Sequence, residues 1–353
     1  MALRAGMIGL PGCGKTAIFN AVTAAGVAAF GRAELNRAVV AVPDDRLEVL
    51  SGMYQPLKTV PATLEVVDIP GLAAGSTSFG GRGNRLLGHV KDVDALIHVV
   101  RFFPGTESID PQRDTEIVDL EMVAADAQTV ENKIERLLKK SRTGDKEAIR
   151  ELELCRKVAG RLQEGIPARR QNLSEAEQAA VYECHLASLK PVVYVANVAG
   201  MEDAEKAEVG RLKALAAGES AETVVVSGRD EADLAELEPD ERKIFMQELG
   251  ITESSTIRLI RAAYRLLGLI TFFTTGPDEC RAWTCRRGDP APTAAGKIHS
   301  DMEQGFIRME VIRYGDLIDC GSEEAAAKAG LRRLEGKEYQ VADGDIVVVR
   351  FSS

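Results

Sequence analysis

The chain has 353 residues, enough for two or three folding units, and 45% of them are apolar, enough to bury real cores. A formal charge of −10 argues against a protein that coats nucleic acid by bulk electrostatics, and DNA is not an expected partner. No run approaches the roughly 18 apolar residues of a membrane span, and MALRAGMIGL lacks the basic segment, apolar stretch and cleavage site of an export signal. The expectation is a cytoplasmic protein that does not engage membranes. Its six cysteines are scattered without metal-type spacing and read as reduced thiols.

In chain order, strands are expected at Leu3–Leu10, Val39–Val42, Leu64–Ile69 and Ala95–Phe103, and later at Val192–Asn197 and Thr223–Ser227. Near-continuous Val/Ile/Leu runs separated by helices indicate an α/β fold with a mostly parallel sheet covered on both faces. From Glu116 to about Glu164 the texture changes. Ile117, Leu120, Val123, Ala127, Val130, Ile134 and Leu137, then Ile149, Leu152, Cys155, Val158 and Leu162, recur at helical spacing. The polar stretch Ser141–Asp145 divides them into two antiparallel helices, a helical (coiled-coil) arm. Residues 131–170 hold 12 Lys/Arg against 7 Asp/Glu, either a solvated face or an electrostatic foot for RNA. Ser174 and Glu177 have capping-box spacing for a third helix. From about Gly268, short strands (Ile270–Phe273, Arg281–Cys285, Phe306–Val311, Ile346–Phe351) and one Ala-rich helix (Glu323–Leu334) suggest a small β-rich domain. The expected division is a nucleotide-binding domain over 1–122 and 190–267, an arm over 123–189, and a last domain over 268–353.

Gly9-Leu10-Pro11-Gly12-Cys13-Gly14-Lys15-Thr16 fits G-x-x-x-x-G-K-[ST] between a strand and a helix, the context that a P-loop requires. Such a loop turns backbone N–H groups inward around phosphates. The helix that follows adds about 0.3–1 kcal/mol for an anion at its N-terminus. Gly9, Pro11, Gly12, Cys13, Gly14, Lys15, Thr16 and Ala17 are therefore candidate phosphate-binding positions, with Lys15 aimed at the β- and γ-phosphates and Thr16 at Mg²⁺. Cys13, at a helix N-terminus, is a candidate for easier ionisation and redox sensitivity.

Asp68-Ile69-Pro70-Gly71 ends an apolar strand some 50 residues after the loop, as the Asp-x-x-Gly of GTPase-type switches does. Asp68 would hold Mg²⁺ through water, and the Gly71 N–H would meet the γ-phosphate. At the next position stands Leu72, which cannot orient an attacking water as a glutamine does. Asn197 closes the strand VVYVAN, where it and Val198 would lie near the base. A guanine reader would add an acid three residues after Asn197, where this chain has Gly200. Ser227-Gly228 would offer a backbone contact to the base. A small-molecule kinase would also suit the P-loop, but Asp68–Gly71 speaks against it. His89 and His98 read as buried, hydrogen-bonded structural histidines rather than catalytic ones.

With these residues in place, the chain resembles the YchF family of Obg-like ATPases, essentially end to end. The resemblance is carried by GLPGCGKT, VPDDRL (42–47), EVVDIPGL (65–72), GNRLLGHVKDVDALIHVVR (83–101), KPVVYVANV (190–198), FMQELG (245–250) and AAGKIHSDMEQGFIRMEVI (294–312). It implies a P-loop NTPase G domain carrying the arm, a C-terminal TGS domain of β-grasp, ubiquitin-like type, Mg²⁺ as cofactor, hydrolysis of ATP at least as readily as GTP, and ribosome association. It also makes a hydrophobic residue at position 72 expected. Three departures stand out. The family's switch I threonine aligns with Arg32, and residues 24–50 contain no Thr or Ser. A histidine placed by the family in the loop after HVVRFF is missing from PGTESIDPQRD. The family's Asn-x-x-Glu becomes Asn197-Val198-Ala199-Gly200. The expectation is a slow ATPase. The alternative is a hydrolysis-impaired binding module whose arm and TGS domain engage ribosome, RNA or protein.

Overall fold

The computed structural model describes residues 3–25, 37–71, 88–105, 108–248 and 253–352. Among the described residues the strands form two six-stranded sheets. The first contains β1 (Arg4–Ile8), β2 (Arg37–Val42), β4 (Ala62–Asp68), β5 (Ala95–Phe102), β6 (Val192–Val198) and β7 (Thr223–Val226), in the order β2-β4-β1-β5-β6-β7. The β1–β4, β1–β5, β5–β6 and β6–β7 pairings are all parallel. Every residue of β6 and all but one of β5 are buried, as expected for parallel strands covered on both faces. Parallel pairing brings the C-terminal ends of β1, β4, β6 and β7 to one edge, where such sheets place their ligands.

The chain divides into two compact units. Residues 65–263 belong with the N-terminal residues 1–25, whereas Val39–Leu64 groups with Tyr264–Ser353. The nucleotide-binding domain expected over 1–122 and 190–267 includes residues 39–64.

In the first unit a helix of 31 residues (Pro111–Ser141) starts with Asp110 as cap and Pro111 in its first turn. At a rise of about 1.5 Å per residue it is about 46 Å long. Val118 and Met122 pack into the core around β5 and β6, while Val123, Val130, Ile134 and Leu137 belong to the arm's own core. The same helix thus roots the arm in the sheet domain. Asp145 caps the return helix (Lys146–Gln163), accepting from the N–H groups of Glu147 and Ala148. Its Leu152, Cys155, Val158 and Leu162 close the seam. Leu120 and Ile149, expected in that seam, are instead exposed, at 52% and 39%. Both halves of the Ser174/Glu177 capping box are formed ahead of the helix Glu175–Val181.

Polar groups fasten the arm's base. The Asp126 carboxylate, fully buried, accepts from the N–H groups of Ala187 at 2.9 Å and Ser188 at 2.7 Å. Arg169 donates to Asp119 at 2.6 Å and to Glu219 at 2.7 Å, and the Tyr194 hydroxyl donates to Glu219 at 3.1 Å.

The second unit is built on the other sheet. It contains β3 (Lys58–Val60), β8 (Leu269–Thr274), β9 (Glu279–Arg286), β10 (Phe306–Arg313), β11 (Arg333–Glu335) and β12 (Asp345–Phe351), ordered β11-β10-β12-β8-β9-β3. Ile270, Phe272, Met309, Val311 and Val347 form its core with Ala291, Ala294 and Ala295 of the helix Ala291–Ile298. The segment after β2 supplies a helix (Asp45–Tyr54) and β3, which pairs in parallel with β9. The helix expected to run to Leu334 stops at Lys328, and Gly330, with φ of 74°, turns the chain into β11.

Candidate nucleotide site

β1 ends at Ile8 and the next helix begins at Lys15, so the intervening loop is the P-loop, followed by a helix (Lys15–Ala25) whose first N–H groups lack intrahelical partners. Pro11, Gly12, Thr16 and Ala17 are exposed. Lys15 is buried, and its ammonium donates to the carbonyls of Gly9 at 3.0 Å and Leu10 at 2.9 Å. Gly14 has φ of 88°, and a Cβ there would collide with the Asn197 amide. Only glycine satisfies both conditions.

Asp68, at the end of β4, places one carboxylate oxygen 3.0 Å from the Thr16 hydroxyl, which donates to it. The other oxygen is buried without a partner. A hydroxyl beside an unsatisfied carboxylate oxygen is a donor set suited to Mg²⁺, which binds through few protein oxygens, its waters and substrate phosphates. Among the described residues no group of three or more His, Cys, Asp or Glu could hold a metal by itself. Gly71 lies against the loop, since a Cβ there would fall 2.8 Å from the Pro11 nitrogen. Arg32 and Leu72 lie outside the described residues.

Near the end of β6, both polar atoms of the Asn197 side chain are engaged. Nδ2 donates to the Cys13 carbonyl at 2.9 Å, and Oδ1 accepts from the Gly228 N–H at 3.1 Å. Asn197 therefore ties the P-loop to the turn after β7. Val198 is buried, so only its backbone is available to a ligand. Ser227 is spent as the cap of the helix Gly228–Glu236, accepting from the Asp230 N–H at 3.1 Å.

The Cys13 expectation fails, and the histidine one holds only in part. The Cys13 thiol is raised by desolvation, which outweighs the lowering by Lys15, whose ammonium lies 3.8 Å away; easier ionisation is not met. His98 is buried but its Nδ1 has no hydrogen-bond partner, and burial with the cations of Arg169, Lys15 and Arg170 lowers it to about 3. Its ring instead lies 5.4 Å from that of Tyr194. His89 is exposed. The Arg169–Asp119–Glu219 cluster was missed, although the Arg169-Arg170 pair after Pro167 was its one visible signal.

A parallel sheet with a P-loop after β1, an Asp-x-x-Gly after β4 and an asparagine closing β6 defines a P-loop NTPase G domain, here with an inserted helical arm. Residues 4–140 match the family model described as a 50S ribosome-binding GTPase, and residues 269–352 match the C-terminal domain model of YchF GTPases, described as a protein of unknown function. The chain is 44% identical to the ribosome-binding ATPase YchF of Bacillus subtilis and 41% to that of Escherichia coli O157:H7, over 100% of both chains in each case. It is 38% identical to Obg-like ATPase 1 of rice, covering 99% of this chain and 92% of the relative. The YchF GTPase structure of Schizosaccharomyces pombe matches with a TM-score of 0.89 at 33% identity, over 99% and 97% of the two chains. The chain belongs to the YchF family.

Proposed function

We propose that this chain binds a nucleoside triphosphate with Mg²⁺ at the P-loop, hydrolyses it slowly, favours ATP while accepting GTP, and works on the ribosome in the cytoplasm. The observation that carries the reading is the Thr16–Asp68 pair with its orphaned carboxylate oxygen, Thr16 directly following the buried Lys15. Mg²⁺ bound there would neutralise charge on the phosphates. Of the chain's own groups, Lys15 would leave the carbonyls of Gly9 and Leu10 for phosphate oxygens. Pro11, Gly12, Gly14, Thr16 and Ala17 would surround the phosphates, and the Gly71 N–H would report the γ-phosphate. The turn at Val198 and Ser227-Gly228 would meet the base.

Slow turnover follows from what the sequence lacks. Residues 24–50 carry no hydroxyl to close over Mg²⁺, position 72 is leucine, and residues 104–114 hold no histidine. The YchF and Obg-like relatives are named ATPases, and those named ribosome-binding support the ribosome as partner. The last domain is read as a TGS domain. ATP and GTP titrations with and without Mg²⁺, followed by single-turnover hydrolysis with and without ribosomes, test the reading. Binding that ignores Mg²⁺, or turnover as fast as a metabolic kinase, would refute it.

The same absences favour a second reading, a module that holds nucleotide but acts through the arm and last domain. Lys15→Ala separates the two. An NTPase switch loses nucleotide-dependent ribosome binding, whereas a module keeps its partner affinity unchanged.

A further inference from the structure

In the second sheet, β10 and β12 pack Met309, Val311 and Val347 against the helix Ala291–Ile298. Alternate residues of the same strands turn to the opposite face. There Glu310 of β10 stands directly opposite Leu334 of β11 on one side and Val348 of β12 on the other. Leu334 is 56% exposed and Val348 44%. Two strand spacings separate them, about 10 Å in all. Arg308 of β10 and Arg350 of β12 stand opposite each other in the next row of that face.

Glu310 is buried beneath two guanidiniums. Arg350 reaches one of its carboxylate oxygens through Nε and Nη2, and Arg332 reaches the other through Nη2. A guanidinium has five N–H donors, so each arginine keeps donors beyond those that Glu310 occupies. Arg308 is exposed and has no hydrogen-bond or ion-pair partner among the described residues. Three arginines against one glutamate leave a local charge of +2 beside the Leu334–Val348 pair, on a chain of −10.

We propose that this face docks an acidic amphipathic helix of a protein partner. The helix lays two aliphatic side chains on Leu334 and Val348 and a carboxylate between them on Arg332 and Arg350. The inference goes beyond the nucleotide site and does not depend on it. A helix rises about 1.5 Å per residue, so side chains at i and i+7 lie about 10.5 Å apart on one face, matching the aliphatic pair. Residues at i+3 and i+4 fall between them, over the guanidiniums. Arginines already held by Glu310 lose less freedom on pairing again, and their charge selects an acidic occupant. Single-stranded RNA is held by stacking its bases on aromatic rings, and Arg308, Glu310, Leu334, Val348 and Arg350 offer none.

The probe is a fluorescein-labelled, alanine-based helical peptide with Leu at i and i+7 and Glu at i+3 and i+4, titrated with the full chain by anisotropy. Saturable binding is expected, weakening about fivefold or more when Lys replaces the peptide's Glu or Ser its Leu. Leu334→Ser and Arg308→Glu should each weaken the acidic peptide by a similar factor. Both change exposed side chains, so melting temperatures should match wild type. Arg308→Glu should also bind the Lys peptide more tightly than wild type does. ATP affinity should not change in either variant, because the P-loop belongs to the other unit. No saturable binding, equal affinity for the acidic and Lys peptides, or wild-type affinity in both variants would overturn the proposal. So would oligouridylate that displaces the peptide and itself binds more weakly to both variants, which would make the face an RNA site. Each of these leaves the nucleotide reading standing, whereas a wild type that fails to bind ATP or GTP refutes that reading alone.

Discussion

The Asn197 amide nitrogen donates to the Cys13 carbonyl at 2.9 Å, and through this bond the end of β6 holds the phosphate loop. Its oxygen holds Gly228 at 3.1 Å, so one side chain sets the spacing between the P-loop and the turn after β7. Asn197→Ala leaves a carbonyl and an N–H in a buried setting without these partners. The expected cost is about 1–3 kcal/mol, read as a lower urea midpoint without nucleotide, with nucleotide affinity falling in parallel. Unchanged stability would show that water or a neighbour replaces both bonds.

Asp68 and Thr16 make a second claim testable. Asp68→Asn keeps the shape and can still accept from the Thr16 hydroxyl, but removes the charge that would attract Mg²⁺. Nucleotide affinity in the variant should lose most of its Mg²⁺ dependence, while affinity without Mg²⁺ stays near wild type. Calorimetric titration at several Mg²⁺ concentrations decides this. A variant that keeps the wild-type Mg²⁺ dependence would remove Asp68 from the metal site.

How far the sequence reaches depends on the distance over which each feature is encoded. The P-loop is eight consecutive residues, and its chemistry cannot be assembled otherwise. Ser174 and Glu177 are three apart, and their capping box formed as expected. The β3 strand escaped notice because its three residues become a strand only by pairing with Glu279–Arg281, far along the chain. The polar helix Asp45–Tyr54 before it buries only Leu47 and Leu50, too sparse a pattern to read. The run Glu323–Leu334 looked helical throughout by composition, and one left-handed glycine at 330 decided otherwise. Asn197 read as a base contact because its partners Cys13 and Gly228 are distant in sequence.

The base of the arm depends on ion pairs away from water. Asp119 is 3% and Glu219 5% exposed at the side chain, and Arg169 and Arg170 each pair with both. Burial raises Asp119, and Arg169 is the chief influence lowering it. Arg169→Ala would leave two buried carboxylates to share Arg170 alone, at an expected cost of about 3 kcal/mol, the low end for breaking a buried pair. Replacing Asp119 by Asn in the same chain should recover part of that loss, because one of the two charges left on Arg170 disappears. Chemical denaturation of the wild type, both single variants and the double variant measures the coupling. Additive losses would show that the pair is not coupled.

His98 makes stability depend on pH in a defined direction. Its folded value is about 3, against an ordinary value of 6.5, chiefly because the imidazole is buried, with Arg169, Lys15 and Arg170 adding to the effect. Between those two values the unfolded chain binds a proton that the folded chain refuses, so stability falls as pH drops below about 6.5. This one group contributes a slope of at most about 1.4 kcal/mol per pH unit in that window, and nothing at neutral pH or above. His98→Phe keeps an aromatic ring against Tyr194 and removes the titration, along with an Nδ1 that has no partner. Urea midpoints of both proteins from pH 7.5 to 5 should converge on a constant difference above pH 7 and diverge below 6.5, with the variant gaining relative to wild type. The carboxylates are common to both chains, so their titration cancels in the difference. A difference that stays flat to pH 5 would mean that water reaches the ring or that His98 is protonated in the folded protein.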